Sequence, residues 1–126
     1  MSSPRIIEGK IDRLARALRL KSKRIRSNYC EIDRVWFFDV PVIGLVPVLS
    51  FEVESKPKGL KYYKGDFLNI QTQGTHGAIV LGNDAFGSRL GPTRKKIEEL
   101  AKRTGHPVRV IYESEIDEML DLLKEN

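Results

Sequence analysis

The chain has 126 residues, a length typical of one domain with a single apolar core, and we expect residues 1–126 to fold as one unit. Hydrophobic residues make up 40% of the sequence and charged residues 31%, and no apolar run approaches the roughly 20 residues of a membrane helix, so we do not expect a membrane protein. The net charge is +5, and the lone Cys30 excludes an intrachain disulfide and a multi-cysteine zinc site.

The first half of the sequence predicts one helix followed by a hairpin of two strands. Apolar residues recur at helical spacing between residues 5 and 20, and Pro4 stands near the start, where it does no harm. A basic link over residues 21–27 follows. Residues 28–39 and 46–55 are rich in aromatic and β-branched residues, and Pro and Gly between them predict a turn, so the two strands should pair antiparallel.

The second half of the sequence alternates helices and strands, which predicts a sheet that is parallel in part. We expect a helix over residues 60–71, a buried strand over 77–82, a loop over 83–92, a helix from Pro92 to Gly105, a strand over 108–112 and a helix over 114–124. The predicted order is αββαβαβα. The predicted fold class is α/β, with a central mixed sheet flanked by helices on both faces.

Acidic residues occupy one face of the second predicted strand, inside otherwise apolar sequence. Glu52, Glu54 and Lys56 are spaced by two and should project to the same side, and Asp33 lies on the neighbouring strand. Buried carboxylates that lie side by side are costly unless a proton, an ion pair or a metal compensates them. Carboxylates that hold Mg²⁺ or Mn²⁺ beside an ammonium group suit phosphodiester hydrolysis, which is our prediction. Ion-paired strand ends are the alternative.

These residues resemble the PD-(D/E)xK nuclease superfamily, which includes many restriction endonucleases and archaeal Holliday-junction resolvases. The resemblance rests on Asp33, on Glu54-Ser55-Lys56, on the α-β-β-α-β order around them and on Glu8, since members often carry an accessory acid in the first helix. It covers nearly the whole chain and implies a restriction-endonuclease-like fold. It also implies that Asp33 and Glu54 are metal ligands and that Lys56 orients or activates the attacking water. Glu8 would contribute through the water shell of the metal.

The sequence departs from this family pattern and leaves two registers open. Ile32 stands where the family has a proline before the acid. Glu52-Val53-Glu54 offers a second register, in which Glu52 is the metal ligand and Glu54 replaces the lysine, as in some members of the superfamily. Two residues near the end of the second predicted helix are secondary candidates, because some members carry a polar residue there that contacts the site: Gln71 and Gln73.

Basic residues are concentrated near the start of the sequence. Residues 1–30 contain nine Lys and Arg against two acids, a net of +7, whereas residues 113–126 contain one Lys against six acids, a net of −5. This asymmetry favours a polyanionic partner through counterion release, and the alternative is an ion-pair network of the kind found in heat-adapted proteins. The candidates for nucleic-acid binding are Arg19, Lys21, Lys23, Arg24, Arg26, Lys58 and Lys61.

The leading functional hypothesis is a Mg²⁺- or Mn²⁺-dependent endonuclease or exonuclease that acts on DNA. A chain this short has little length for reading bases, so we expect recognition of DNA structure rather than sequence. RNA is the alternative substrate, and a non-catalytic nucleic-acid-binding or assembly module that retains the nuclease fold is the alternative function. We also expect a cytoplasmic protein, since no signal-peptide pattern opens the sequence, and a homodimer formed through the exposed strand or the Trp36 region.

Overall fold

The computed structural model of the protein describes residues 2–28 and 30–124. Its elements, in chain order, are α1 (Pro4–Ala17), β1 (Lys21–Arg26), β2 (Glu31–Val40), β3 (Gly44–Glu54), α2 (Leu60–Gln71), β4 (His76–Leu81), α3 (Asn83–Phe86), a 3-10 turn (Gly87–Arg89), α4 (Leu90–Thr104), β5 (Val108–Tyr112) and α5 (Glu113–Lys124). Among these described residues, no helix is both long and apolar enough to cross a membrane.

The five strands form one mixed sheet in the order β1-β2-β3-β4-β5. The first three strands pair antiparallel, and β4 and β5 continue the sheet parallel to β3. A hairpin turn suffices between antiparallel neighbours, whereas each parallel neighbour needs a crossover, which α2 and α4 supply. The central strand β3 is therefore the point at which the sheet changes from antiparallel to parallel.

Two apolar cores lie on opposite faces of the sheet. Phe51 and Val53 of β3 face α1 and α5, where Ile7 and Ile11 are fully buried. The other face packs against α2 and α4 through side chains such as Ile79. Since successive strand residues point to opposite faces, Glu52 and Glu54 lie on the second face, opposite Ile79 and Leu81 in the β3–β4 register.

Local sequence signals set the start of α1 and the end of α4. The Ser3 hydroxyl caps α1 by accepting a hydrogen bond from the Ile6 amide at 3.4 Å, and Pro4 is the first helical residue. Gly105 ends α4 in the left-handed region, at φ 73°, which glycine adopts without strain. The α/β class and the mixed sheet with helices on both faces are confirmed.

The predicted order αββαβαβα is wrong in one respect, because residues 21–26 form a strand and not a link. β1 contains one apolar residue, Ile25, so its own sequence carries little strand pattern; its pairing with β2 along Lys21↔Phe37 to Arg26↔Glu31 holds it in the sheet. The predicted loop over residues 83–92 is also wrong, since it contains α3, the 3-10 turn and the start of α4.

The boundaries of the predicted hairpin shift by a few residues. β2 begins at Glu31 rather than at residue 28, and Tyr29, which the prediction included, lies outside the described residues. β3 begins at Gly44 and ends at Glu54, one residue before the predicted end. Because β3 stops there, the chain turns away from the sheet before it reaches Lys56.

Candidate functional site

The side-chain carboxylates of Asp33 and Glu52 each accept a hydrogen bond from a main-chain amide of the neighbouring strand. The Asp33 amide donates to Glu52 Oε1 at 3.1 Å, and the Val53 amide donates to Asp33 Oδ2 at 2.7 Å. The regular β2–β3 pairing reaches only to Arg34↔Phe51, so these side chains take over the main-chain groups that the ladder leaves unpaired. The two carboxylates are thereby held side by side at the end of the hairpin.

Glu54 lies at the last position of β3 and receives the ammonium group of Lys58. Lys58 Nζ is 2.9 Å from Glu54 Oε1, and the Glu54 side chain is only 7% exposed, whereas that of Lys58 is 42% exposed. Lys58 lies between β3 and α2, which begins at Leu60. The buried Glu54 carboxylate is thus paired with a lysine side chain that is partly exposed to solvent.

Asp66 in α2 completes the cluster of acids. It is buried against β3, and its carboxyl group lies within hydrogen-bonding reach of Glu52 and Glu54. These neighbours are carboxylates and can only accept hydrogen bonds while ionised. Across the described part of the chain, no donor reaches Asp66 Oδ2. A buried oxygen without a donor is costly, so this position calls for a proton or a cation.

The electrostatics of the cluster reflect this shortage of positive charge. Burial, followed by the hydrogen bond and charge of Glu54, raises the pKa of Asp66 to about 11. Burial, followed by the charge of Asp33, raises the pKa of Glu52 to about 7. Burial also raises the pKa of Asp33, against the opposing effect of its bond from the Val53 amide. Without a bound cation, the cluster holds protons at neutral pH.

Glu8 of α1 approaches the cluster from the other side of Asp33. Burial raises its pKa; the charge of Arg34 opposes this increase and that of Asp33 adds to it. Glu8 and Asp33 line an open cleft of about 740 Å³ between α1, β1 and β2. Three arginines also line it: Arg5, Arg24 and Arg34. The cleft is therefore lined by both carboxylates and guanidinium groups.

Arg34 is fixed in the wall of this cleft by Asp12. Arg34 Nε donates to Asp12 Oδ1 at 2.8 Å, and the Ser22 hydroxyl donates to the same oxygen at 2.6 Å. Asp12 lies on α1, Ser22 on β1 and Arg34 on β2. Three elements that line the cleft are thus tied together by one carboxylate.

The structure brings together Asp33, Glu52 and Glu54 as predicted, but it does not bring Lys56 to them. Lys56 is exposed in a bend beyond the end of β3 and makes no hydrogen bond or ion pair within the described residues. The expectation that it shares the strand face of Glu54 is wrong, because the strand ends two residues earlier. The ammonium group beside the cluster belongs to Lys58, which the sequence marked only as a nucleic-acid contact.

The remaining predicted residues are the seven basic candidates and the two glutamines. All seven basic candidates are exposed: Arg19, Lys21, Lys23, Arg24, Arg26, Lys58 and Lys61. Gln71 ends α2 and Gln73 follows it, near the edge of the sheet where β4 begins. Thr72, which lies between the two glutamines, has its hydroxyl oxygen 3.5 Å from Cys30 Sγ, just before the start of β2.

Sequence reasoning missed Asp66, although a signal was present. Tyr63, Asp66, Phe67 and Ile70 share one face of α2 at the spacing of a buried helical stripe, and all four are buried. An acid within such a stripe has no simple structural reason to be there. Arg5 and Arg34 were also missed, because only the tertiary arrangement of α1, β1 and β2 forms the cleft that they line.

The chemistry of this donor set suits a hard divalent cation, although the side chains are not arranged as a coordination shell. Carboxylate oxygens are the ligands that Mg²⁺ and Mn²⁺ prefer, and Asp66 Oδ2 is an unpartnered buried oxygen among them. Within residues 2–28 and 30–124, no three acidic, histidine or cysteine side chains meet the geometry of a metal site.

Comparison of the chain with protein-family models, with curated proteins and with solved structures finds no match. The resemblance to the PD-(D/E)xK nucleases therefore stays an expectation from the sequence.

Proposed function

We propose that this protein is a divalent-metal-dependent nuclease that hydrolyses phosphodiester bonds in DNA. The observation that carries the proposal is the cluster of half-buried Asp33 with buried Glu52, Glu54 and Asp66, in which Asp66 Oδ2 has no donor among the described residues. Four acids at the end of a central strand cost stability that a purely structural role does not require. Such a cost is typical of a site that serves a charged ligand.

Asp33 and Glu52 would hold the metal, with Glu54 or Asp66 as a further oxygen ligand. The crossed hydrogen bonds between the strands place the first two carboxylates together, which favours the register in which Glu52 is the ligand. A bound Mg²⁺ or Mn²⁺ would supply Lewis-acid activation of the phosphoryl oxygen and a water of lowered pKa.

The other residues of the chain would bind and orient the substrate. In this proposal, Lys58 is the ammonium group that stabilises charge on the phosphate, since it lies 2.9 Å from Glu54. Arg5 and Arg24 line the 740 Å³ cleft that leads to Asp33, and they would hold the DNA backbone. Glu8 would orient a water at the inner end of this cleft.

DNA structure, rather than base sequence, would select the substrate. The basic residues around the cleft lie on α1, β1 and β2, and such groups contact phosphates, which are the same in every sequence. The cleft is open, so it fits a backbone that passes over the surface rather than a base held in a closed pocket.

A non-catalytic nucleic-acid-binding module is the second candidate, and the partners of the acids favour it. Glu54 already has the ammonium group of Lys58, and Asp33 and Glu52 satisfy main-chain amides. In this alternative the acids close the end of the hairpin, one shared proton compensates Asp66, and the arginine cleft binds nucleic acid without cleaving it.

Cleavage assays with matched variants decide between the two candidates. Labelled branched, flapped, single-stranded and duplex DNA, with RNA versions of each, would be incubated with Mg²⁺ or Mn²⁺ and the wild type, Asp33→Asn, Glu52→Gln or the control Glu118→Gln. Glu118 is an exposed acid on α5. We expect cleavage by the wild type and the control only, with DNA preferred. Binding without cleavage by any of the four proteins would support the second candidate instead.

A further inference from the structure

Residues 38–48 form a two-stranded arm that extends beyond the rest of the sheet. β1 pairs with β2 only as far as Lys21↔Phe37, and β4 pairs with β3 only from Leu49↔His76 onward. Between these limits β2 and β3 pair only with each other, from Phe38↔Val46 to Val40↔Gly44. A two-stranded ribbon is marginally stable in water by itself, so an extension of this kind gains from a contact that covers it.

The arm carries a concentration of apolar side chains that the rest of the surface lacks. Six of the thirteen large apolar side chains that are exposed in the described residues fall in this segment: Phe38, Val42, Ile43, Leu45, Val46 and Val48. Ile43 is 76% exposed and Phe38 is 51% exposed. Monomers rarely expose so many large apolar side chains within one short segment, and such patches mark interaction sites.

The tip of the arm has a feature that its own fold does not explain. Val42 is fully exposed and has a φ of 73°, a left-handed conformation that β-branched residues rarely adopt. Gly or Asn would fit this position with less strain, and neither would offer an apolar side chain. A strained and exposed valine at a turn is explained if the side chain makes a contact outside the chain itself.

We infer that the arm is a homodimer interface, in which the apolar faces of the arms of two copies pack against each other. Phe38 and Val46 lie opposite each other on one face of the ribbon, so a twofold axis brings two identical apolar patches together. A stable interface buries about 800 Å² from each partner, so the exposed tip residues Val42 and Ile43 would have to be buried beside this face.

Other occupants fit the arm less well. Pro47 removes a main-chain donor from β3 and the pairing shifts between Trp36 and Phe37, so the β3 edge is poorly suited to an added peptide strand. Asp39 is the single charged residue of the segment, and it pairs with Lys21 at 3.7 Å, so no free charge on the arm selects a charged partner. The Trp36 region is not available either, because Trp36 is buried against Phe51.

The basic edge of the sheet further favours the arm as the contact. β1 is an edge strand, and four of its six residues are Lys or Arg. Two such edges would repel each other, which is how natural sheets avoid pairing through an exposed strand. The alternative expectation, that a dimer forms through an exposed strand of this kind, is therefore disfavoured.

Light scattering after size-exclusion chromatography tests this inference without metal or nucleic acid. We expect the wild type at about 100 µM to have twice the 14.4 kDa mass of the chain. We expect Phe38→Asp and Ile43→Asp to be monomers, and the control Leu68→Asp, at a residue 61% exposed on α2, to remain a dimer. A monomeric wild type, or arm variants that dissociate no more than the control, would overturn the inference.

Two further variants separate folding and catalysis from association. Val42→Asn suits the left-handed turn, so we expect it to keep the wild-type circular dichroism spectrum and weaken the dimer at least fivefold; an unchanged dimer would count against the arm. Asp33→Asn should stay dimeric even if it has no metal response. These experiments thus test the proposed interface independently of the proposed nuclease reaction.

Discussion

Lys58 reaches back four residues to Glu54 and places its ammonium group 2.9 Å from a carboxylate at the end of the central strand. Lys56, which is closer in sequence, is exposed beyond the end of β3 and makes no ion pair with the acids among the described residues. The cation at the cluster is therefore supplied by the segment that leads into α2, and α2 also carries Asp66.

Exchange of each lysine for methionine distinguishes their roles. Lys58→Met leaves buried Glu54 without its cation, and we expect a loss of about 1 kcal/mol in stability, since water screens the exposed end of the pair. We also expect DNA cleavage to fall at least about tenfold. Lys56→Met should leave urea unfolding and cleavage unchanged. Equal losses of cleavage in both variants would show that Lys58 contributes no more to cleavage than Lys56 does.

Asp66→Asn should stabilise the metal-free protein. At pH 8 the folded chain holds a proton on Asp66 that the unfolded chain releases, and the asparagine amide donates to Glu52 or Glu54 without this proton uptake. We expect a gain of about 1–3 kcal/mol in the free energy of unfolding. Asp121→Asn, at an exposed residue of α5, is the control and should change stability by less than about 0.5 kcal/mol. A destabilised Asp66→Asn protein would contradict the idea that the cluster lacks positive charge.

Stability of the metal-free protein should fall as the pH rises from 5 to 7. Glu52 has a pKa of about 7 when folded and an ordinary value of 4.5, so in this interval the folded state binds more protons than the unfolded state. The slope is limited to about 1.4 kcal/mol per pH unit for each such group. Urea unfolding at several pH values measures it, and Glu52→Gln should make the slope shallower, while the contribution of Asp66 remains. A wild-type stability that is constant or rises over this range would refute the prediction.

Addition of Mg²⁺ or Mn²⁺ should reverse this pH trend. A cation bound to the carboxylates replaces their protons, so its affinity should increase with pH over the same interval. We expect millimolar Mg²⁺ to raise the melting temperature of the wild type at pH 8 more than at pH 5.5, and to leave Asp33→Asn and Glu52→Gln unchanged. Differential scanning calorimetry provides the measurement, with Ca²⁺ as a comparison ion. Equal shifts in the wild type and both variants would place the metal elsewhere.

DNA binding should depend on the arginines that line the cleft. Arg5→Gln and Arg24→Gln each remove one guanidinium group from its wall, and we expect the slope of log affinity against log salt to fall by about 1 for each. Arg103→Gln, at an exposed residue of α4, is the control, because α4 packs against the opposite face of the sheet. Fluorescence anisotropy at several salt concentrations tests this, and equal losses for all three variants would indicate binding without a defined cleft.

Much of the fold follows from the sequence because the apolar pattern is strong where elements are buried. The hairpin, the parallel strands and the helices α1, α2 and α5 carry their own periodicity. β1 does not, since its six residues include four basic ones and its place depends on pairing with β2. The extended conformation of β1 therefore depends on pairing with β2, and a local sequence pattern does not reveal this pairing.

The candidate site was predictable in part for the same reason. Alternation along β3 identifies Glu52 and Glu54, and the neighbouring strand supplies Asp33. The end of β3 was harder to place, although Pro57 was a sign that regular pairing stops before it. Lys58 and Asp66 reach the cluster from outside the hairpin, so their roles require knowledge of how α2 returns across the sheet.

The alternation of side chains along β3 has an evolutionary consequence. Odd-numbered positions such as Phe51 and Val53 fill one core, even-numbered positions such as Glu52 carry the acids, and the Val53 group that binds Asp33 belongs to the main chain. Mutations at odd positions can therefore adjust thermal tolerance without altering the acid cluster, and mutations at even positions can alter that cluster without emptying the core. Selection for the two properties can act on one strand with little conflict.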